Sequence, residues 1–471
     1  MIRRYAAAFA VLCAGCAQVP PARLPDVPMA AAYKTAQAPA VATRPAQDWW
    51  TAFNDPELNA LEQRLLDNSP DLASALARYQ QARAATNAVR AAQSPSLSTS
   101  ANVQRDRQSE LKPLRVLGPN SPNEYTSATL GLDLEYEVDL WGRVKQQVSA
   151  GEAQEKAAEA DLAAARLSLQ AQLADSLVAL RGLDEESRLL ADTIAAYSKA
   201  ISMVRQRHDG GIASGLDTAR AEAQLESTRS QARQVQAQRA VMEHAIAALV
   251  GANASGFSID PKAVAAVTPV IPAGMPSTLL QRRPDIAAAQ LRVAAAGANV
   301  GAAKTAFFPA LTLSAAGGFQ SSDLARFAEM PNLFWAVGPT LAYSLFDGGR
   351  RKAQVAGAEA SLDEAGQRYR AVVLGAFQQV EDQLSLLSEY GAAAESDALA
   401  AAAAQRALTL ATTRYQQGAV SYLDVVTAQT THLQALRSSL DLSTRQRRAA
   451  VQLVRALGGG WSNGQLAAQA S

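Results

Sequence analysis

Residues 129–143 read T-L-G-L-D-L-E-Y-E-V-D-L-W-G-R. Leu130, Leu132, Leu134 and Tyr136 alternate with Gly131, Asp133, Glu135 and Glu137. A period of two is what a strand with one apolar and one polar face requires. The pattern recurs at Leu97, Thr99, Ala101 and Val103 against Ser98, Ser100 and Asn102, and again at Leu311, Leu313 and Ala315. A fourth stretch sets Val337, Leu341, Tyr343 and Leu345 against Ala336, Gly338, Thr340, Ala342 and Ser344. Strands are therefore expected at about 95–105, 127–139, 309–320 and 335–345. Runs of about 9–11 such residues suit a transmembrane strand, with apolar side chains to lipid and polar ones to a lumen. They suit a soluble half-buried sheet equally well. Four strands cannot close a barrel, because an open edge in lipid leaves backbone groups unpaired. A membrane reading therefore requires several copies to pool their strands, and three would give twelve.

The strands belong to a duplication. Pro70-Asp71-Leu72 returns as Pro284-Asp285-Ile286, and Pro95 with Leu97 returns as Pro309 with Leu311. Gly142-Arg143 then matches Gly349-Arg350, Arg207, Gly211 and Ser214 match Arg414, Gly418 and Ser421, and Leu216-Asp217 matches Leu423-Asp424. Gly251 matches Gly458. The offset shortens once, across the polar, Pro-rich residues 105–125, where a loop between strands tolerates insertion. Each half has a helix (57–93 and 285–305), two strands, and a long helical tract. Residues 123–260 and 340–471 contain no proline. Leu162, Leu169, Leu173, Leu180, Leu183, Leu190, Ile194, Tyr197, Ile201 and Val204 step by threes, fours and sevens, the spacing of helices that supercoil against neighbours. Asp209-Gly210-Gly211 and Gln416-Gln417-Gly418 break the tracts into hairpins of helices.

The chain carries 471 residues, a net charge of +1 and 48% hydrophobic residues, of which only 6% of the chain is aromatic. Such alanine-rich apolar content favours long packed helices over a compact catalytic core, and the charge gives no pull towards nucleic acid. Arg3 and Arg4 precede a short apolar run and Cys13-Ala14-Gly15-Cys16, the pattern of a secretory signal over residues 1–15. His208, His244 and His432 stand alone, and Gly210-Gly211, Gly317-Gly318 and Gly348-Gly349 lack the lysine of a phosphate loop. No metal site, cofactor or catalytic residue is expected. No apolar run reaches about 18 residues, so no helix is expected to span a bilayer.

Five motifs, in order, closely resemble the TolC-type outer-membrane efflux factors, in particular their lipoprotein branch. They are Trp49-Trp50 with Phe53, Asp55-Pro56 and Leu58; residues 135–143; Pro276-Ser277, Leu279-Leu280 and Arg282-Arg283-Pro284-Asp285-Ile286; Phe307-Phe308-Pro309; and Phe346-Asp347-Gly348-Gly349-Arg350. Cys16 resembles the acylated cysteine of a lipobox, although Cys13 stands where Leu is usual. The resemblance implies a mostly α fold with a membrane β-barrel part. Two tandem β-β-long-helix repeats per chain would form a trimeric 12-stranded outer-membrane barrel, continued by a 12-helix periplasmic coiled-coil tunnel. It implies N-acyl and S-diacylglycerol lipid at Cys16, a lipidated amino-terminal segment at 16–56, a first repeat at 57–251 with its hairpin at 143–250, a linker at 252–275, a second repeat at 276–458 with its hairpin at 347–457, and a tail at 459–471. The implied partners are two further copies, outer-membrane lipid, a periplasmic adaptor and an inner-membrane pump in a Gram-negative cell. The chain would be the exit duct for drugs, solvents or ions, or alternatively the duct of a type I polypeptide secretion system.

In this family a network around the inner hairpin's turn closes the periplasmic end. Tyr415 matches a gate tyrosine, and Asp424 a position where some members carry a constricting aspartate. Val420 and Thr427 replace an Arg and a second Asp, which implies a looser latch, or one made by Tyr422 and neighbouring polar groups. Asp424 and its repeat mate Asp217 are equally placed to cap helix N-termini. Asp133, Glu135 and Glu137 are expected on the lumen face, and Gly211, Ser214, Gly418 and Ser421 at turns that meet the adaptor. A lipid-anchored periplasmic coiled-coil scaffold explains the helices but leaves the duplicated strands without a role.

Overall fold

Proline opens three of the principal helices, as its fixed φ and missing N–H allow at a first turn. The computed structural model describes residues 24–28, 30–34, 48–109, 123–262, 268–269, 271 and 276–462. Helix α1 spans Pro56–Asn68, started by the Asp55 carboxylate, which accepts from the Glu57 amide at 2.9 Å. Helix α2 spans Pro70–Arg90. The single helix expected over 57–93 is thus two: Ser69 is extended (ψ 121°) because it precedes Pro70. Strands β1 (Ser96–Arg107) and β2 (Glu124–Val138) lead into α3, Arg143–Asp209, and α4, Gly215–Leu249. The second half repeats this order with α5 (Pro284–Thr305), β3 (Ala310–Ser321), β4 (Leu333–Ala342), α6 (Arg350–Gln416) and α7 (Tyr422–Ala456).

The four strands make one antiparallel sheet in the order β1-β2-β3-β4. Its register aligns Leu97 with Leu134, Leu134 with Ala315 and Ala315 with Val337. One face therefore carries Leu97, Val103, Leu130, Leu132, Leu134, Leu313, Leu333, Trp335, Val337 and Leu341, every one exposed in the chain. Ser98, Asp133, Ala316 and Ala336 align on the opposite face. Among the described residues, β1 and β4 each have one unpaired edge.

Strand β4 ends at Ala342, short of the expected 345, so Tyr343 and Leu345 leave the alternation. The Ser344 carbonyl instead accepts from Arg351 Nη2 at 2.7 Å, and the chain turns through Gly348 and Gly349, both at positive φ. The second hairpin correspondingly begins at Arg350 rather than 347. The Asp347 carboxylate accepts from the Gly349 and Arg351 amides, as Asp139 does for Val144 and Lys145.

Two compact units result. One takes Gln80–Ala157 and Ala289–Arg368, with all four strands; the other takes Asp26–Tyr79, Ala158–Ala288 and Tyr369–Ser471. Each draws on both repeats. The second unit's core packs Trp49, Phe53, Leu58, Leu61 and Leu65 against Leu173, Leu177, Leu180, Ile246 and Val451. Beside it Arg181, 3% exposed as a side chain, pairs with Asp55 at 3.3 Å and Asp184 at 3.2 Å, and Arg239 pairs with Asp184 at 2.6 Å. Arg181 also donates to the Asp260 carbonyl and Arg239 to that of Ile259. Burying these charges is tolerable only because each is paired, and the pairs pin the described part of the linker to α3 and α4.

Candidate gate and pore-lining residues

On the polar face of the sheet, Asp133 sits between Ser98 and Ala316, and Glu135 between Ser96 and Ser314. Asp133 is half-buried and Glu135 exposed. Glu137 shares that face, opposite Thr312, but is ion-paired. Arg143 clasps both of its oxygens, Nε at 2.8 Å and Nη2 at the other, so its charge is neutralised at the strand-to-helix junction. That junction is braced by Trp141, whose ring stacks on Phe308 (4.8 Å, 18°) and whose Nε1 donates to the Pro309 carbonyl at 2.7 Å. Opposite, the Arg351 guanidinium lies over Phe307 and Tyr343.

The helix tips are built from two near-identical turns. Gly211 (φ 72°) and Gly418 (φ 77°) adopt the left-handed conformation that only glycine takes without strain. Beyond each, a serine caps the next helix. The Ser214 hydroxyl accepts from the Asp217 amide at 3.3 Å while the Asp217 carboxylate accepts from the Ser214 amide at 3.3 Å. Asp424 accepts from the amide and the hydroxyl of Ser421 at 3.2 and 3.1 Å. Both aspartates are thus engaged in capping, and Asp217 also faces Arg220 at 3.9 Å.

A different cluster joins the two turns. Tyr415 and Tyr422 meet edge to face at 5.1 Å and pack with Tyr197, Ile201, Val204, Ala221, Leu225 and Val425. Arg207 covers the Tyr415 ring at 4.9 Å, and its Nη1 donates to the Tyr415 and Gln416 carbonyls at 3.3 and 3.0 Å. A cation there also opposes the negative C-terminal end of α6. Burial, reinforced by Tyr415, pushes the Tyr422 hydroxyl up to about 12. Burial likewise raises Tyr415, against the pull of Arg207. Both rings therefore stay neutral at physiological pH, and the cluster is held by packing and one guanidinium rather than by paired opposite charges. Sequence reasoning named the tyrosines but not Arg207. The available signal was its match to Arg414, each four residues before the turn glycine. Exposed Ile212, Leu216 and Leu423 ring the same turns. Cys16 lies outside the described residues.

Among the described residues no group of His, Cys, Asp and Glu is arranged to hold a metal, and no helix is long and apolar enough to cross a membrane. The second statement says nothing of strands.

Comparison with known proteins places this geometry. The family model described as outer membrane efflux protein matches residues 61–252 and again 275–459, one match per repeat. Outer membrane protein OprJ of Pseudomonas aeruginosa is 31% identical over 458 residues, covering 96% of this chain and 94% of that protein. The pyoverdine export outer membrane protein OpmQ of the same organism is 32% identical over 422 residues, 88% of each chain. The solved outer-membrane channel OprN superposes with a TM-score of 0.87 at 31% identity, covering 95% of this chain and all of its own. Duplicated strand pairs, twin helical hairpins and these similarities together mean that the chain belongs to the outer membrane efflux protein family.

Proposed function

We propose that three copies of this chain form an outer-membrane duct, the exit of a tripartite efflux system. The chain is a conduit and not an enzyme, and it resides in the outer membrane of a Gram-negative cell. The observation that carries the reading is the sheet: an exposed, continuous apolar face on one side and, among the described residues, an unpaired edge at each end. A single chain cannot satisfy those edges in lipid, and copies joined β1 to β4 do so in a closed ring. Asp133 and Glu135 then face the lumen and bias it towards cations. The Arg207–Tyr415–Tyr422 cluster serves as the periplasmic latch. The turns at Gly211, Ser214, Gly418 and Ser421, with exposed Ile212, Leu216 and Leu423, supply an apolar tip for a periplasmic adaptor, beyond which an inner-membrane pump provides the energy. The cargo is a small molecule: a drug, a solvent or an ion. Lipid on Cys16 tethers the mature chain while the barrel holds it.

The test is direct. The purified protein should run as a heat-sensitive trimer in detergent and give conductance steps in planar bilayers, and Cys16→Ala should lose acyl labelling but keep both properties. A Cys16→Ala protein that is monomeric, water-soluble and silent in bilayers defeats the duct reading in favour of a lipid-tethered scaffold.

A further inference from the structure

Glu62 has no part in the conduit described above. It shares the inward face of α1 with Leu58, Leu61 and Leu65 and is 0% exposed. Neither of its carboxyl oxygens makes a hydrogen bond of good geometry, and the Gln170 side-chain amide is the donor nearest to forming one. The apolar core that α1 joins takes Trp49 and Phe53 from the segment before it, Ile246 and Leu249 from α4, and Ala450, Val451 and Val454 from α7. Helix α3 supplies the polar neighbours: Arg166, whose guanidinium attracts the carboxylate, and buried Gln170, whose amide favours the charged form more weakly. An ionised carboxylate in such surroundings loses its hydration with little in return. Burial outweighs both Arg166 and Gln170 and pushes the group up to about 9.

We propose that Glu62 is a proton-operated latch, seating α1 against α3 as the neutral acid and releasing α1 when the surroundings turn alkaline. Once α1 is released, the carboxyl returns to its ordinary value near 4.5. Between those two values the seated state holds one proton more than the released state. The released population therefore grows roughly tenfold per pH unit across that window, and is level below about 4.5 and above about 9. Glu62 itself does not line the neighbouring cavity of about 570 Å³, whose wall holds Arg166 and Gln170 together with Asp67 and Glu159.

The experiment uses the full-length protein in detergent micelles and limited proteolysis within α1, comparing wild type with Glu62→Gln at each pH so that the protease's own pH dependence cancels. The expected result is a cleavage ratio, wild type over variant, that rises about tenfold per unit between pH 6 and 8. A ratio independent of pH overturns the proposal. The unmodified chain gives a second readout if the variant misfolds. Its infrared spectrum at pH 7 should contain the C=O stretch of a buried protonated carboxyl that vanishes above pH 10, and its absence at pH 7 equally overturns the proposal.

Discussion

Replacing Arg207 by Ala should open the periplasmic latch. The side chain makes three contacts across the paired turns: hydrogen bonds to the Tyr415 and Gln416 carbonyls at 3.3 and 3.0 Å, and a cation–π contact with Tyr415 at 4.9 Å. Charged donors contribute about 1.5–3 kcal/mol each when well buried. Arg207 is only half-buried and one bond is long, so about 1 kcal/mol for each bond is reasonable. The ring contact adds about 0.5 kcal/mol. A total of about 2–3 kcal/mol per subunit, lost on opening, corresponds to a roughly 30- to 150-fold shift in the closed-to-open ratio. Planar-bilayer recording of the purified duct reads this as a rise in the fraction of time spent at high conductance. Tyr415→Phe is the internal control, because the Tyr415 hydroxyl has no partner and the phenylalanine ring preserves the packing. An Arg207→Ala duct as closed as wild type refutes the latch. So does a Tyr415→Phe duct that opens as readily as Arg207→Ala.

Two further substitutions test the sheet and the caps. A Cβ on Gly318 would strike the Leu130 carbonyl oxygen on the neighbouring strand, whereas one on Gly338 meets nothing within 4 Å. Gly318→Ala should therefore abolish heat-sensitive trimers on unheated gels and Gly338→Ala should leave them intact; equal behaviour would mean that the close β2–β3 approach is dispensable. Asp217→Ala and Asp424→Ala should each cost about 1 kcal/mol of helix stability in thermal melts, as lost caps do. Their effects on conductance should match, and opening by Asp424→Ala alone would return Asp424 to the latch.

Much of the architecture can be read from residue order because it rests on short-range periodicities. Alternation at residues 130–137 specifies a two-faced strand, and the apolar spacing from Leu162 to Val204 specifies a helix that packs lengthwise. Glycine turns at 211 and 418 and the serine–aspartate pairs after them are equally local. What escaped the sequence depends on contacts made across space. Nothing near Glu137 in the alternating pattern reveals that Arg143, past a turn, neutralises it. Tyr343 and Leu345 continue the alternation formally, yet Arg351 draws the Ser344 carbonyl out of the ladder. Arg207 looks like one more helix-terminal cation until Tyr415, on the other hairpin, is placed beneath it. Glu62 reads as an ordinary polar position on a surface helix, because its burial is decided by α3, α4 and α7 rather than by its neighbours in the chain.

The two hairpins agree in length to the residue: α3 and α6 each have 67 residues, and α4 and α7 each have 35. That parity constrains how such a gene can change. If the repeats take neighbouring places in the proposed ring, their tips must stay level, so an insertion or deletion in one hairpin calls for the same change in its twin, and changes of seven residues disturb the packing least. Substitutions can therefore accumulate freely between the halves, as they have done at most positions, while length is inherited as a linked pair. An engineer shortening or extending the duct faces the same rule and would have to edit both halves at once.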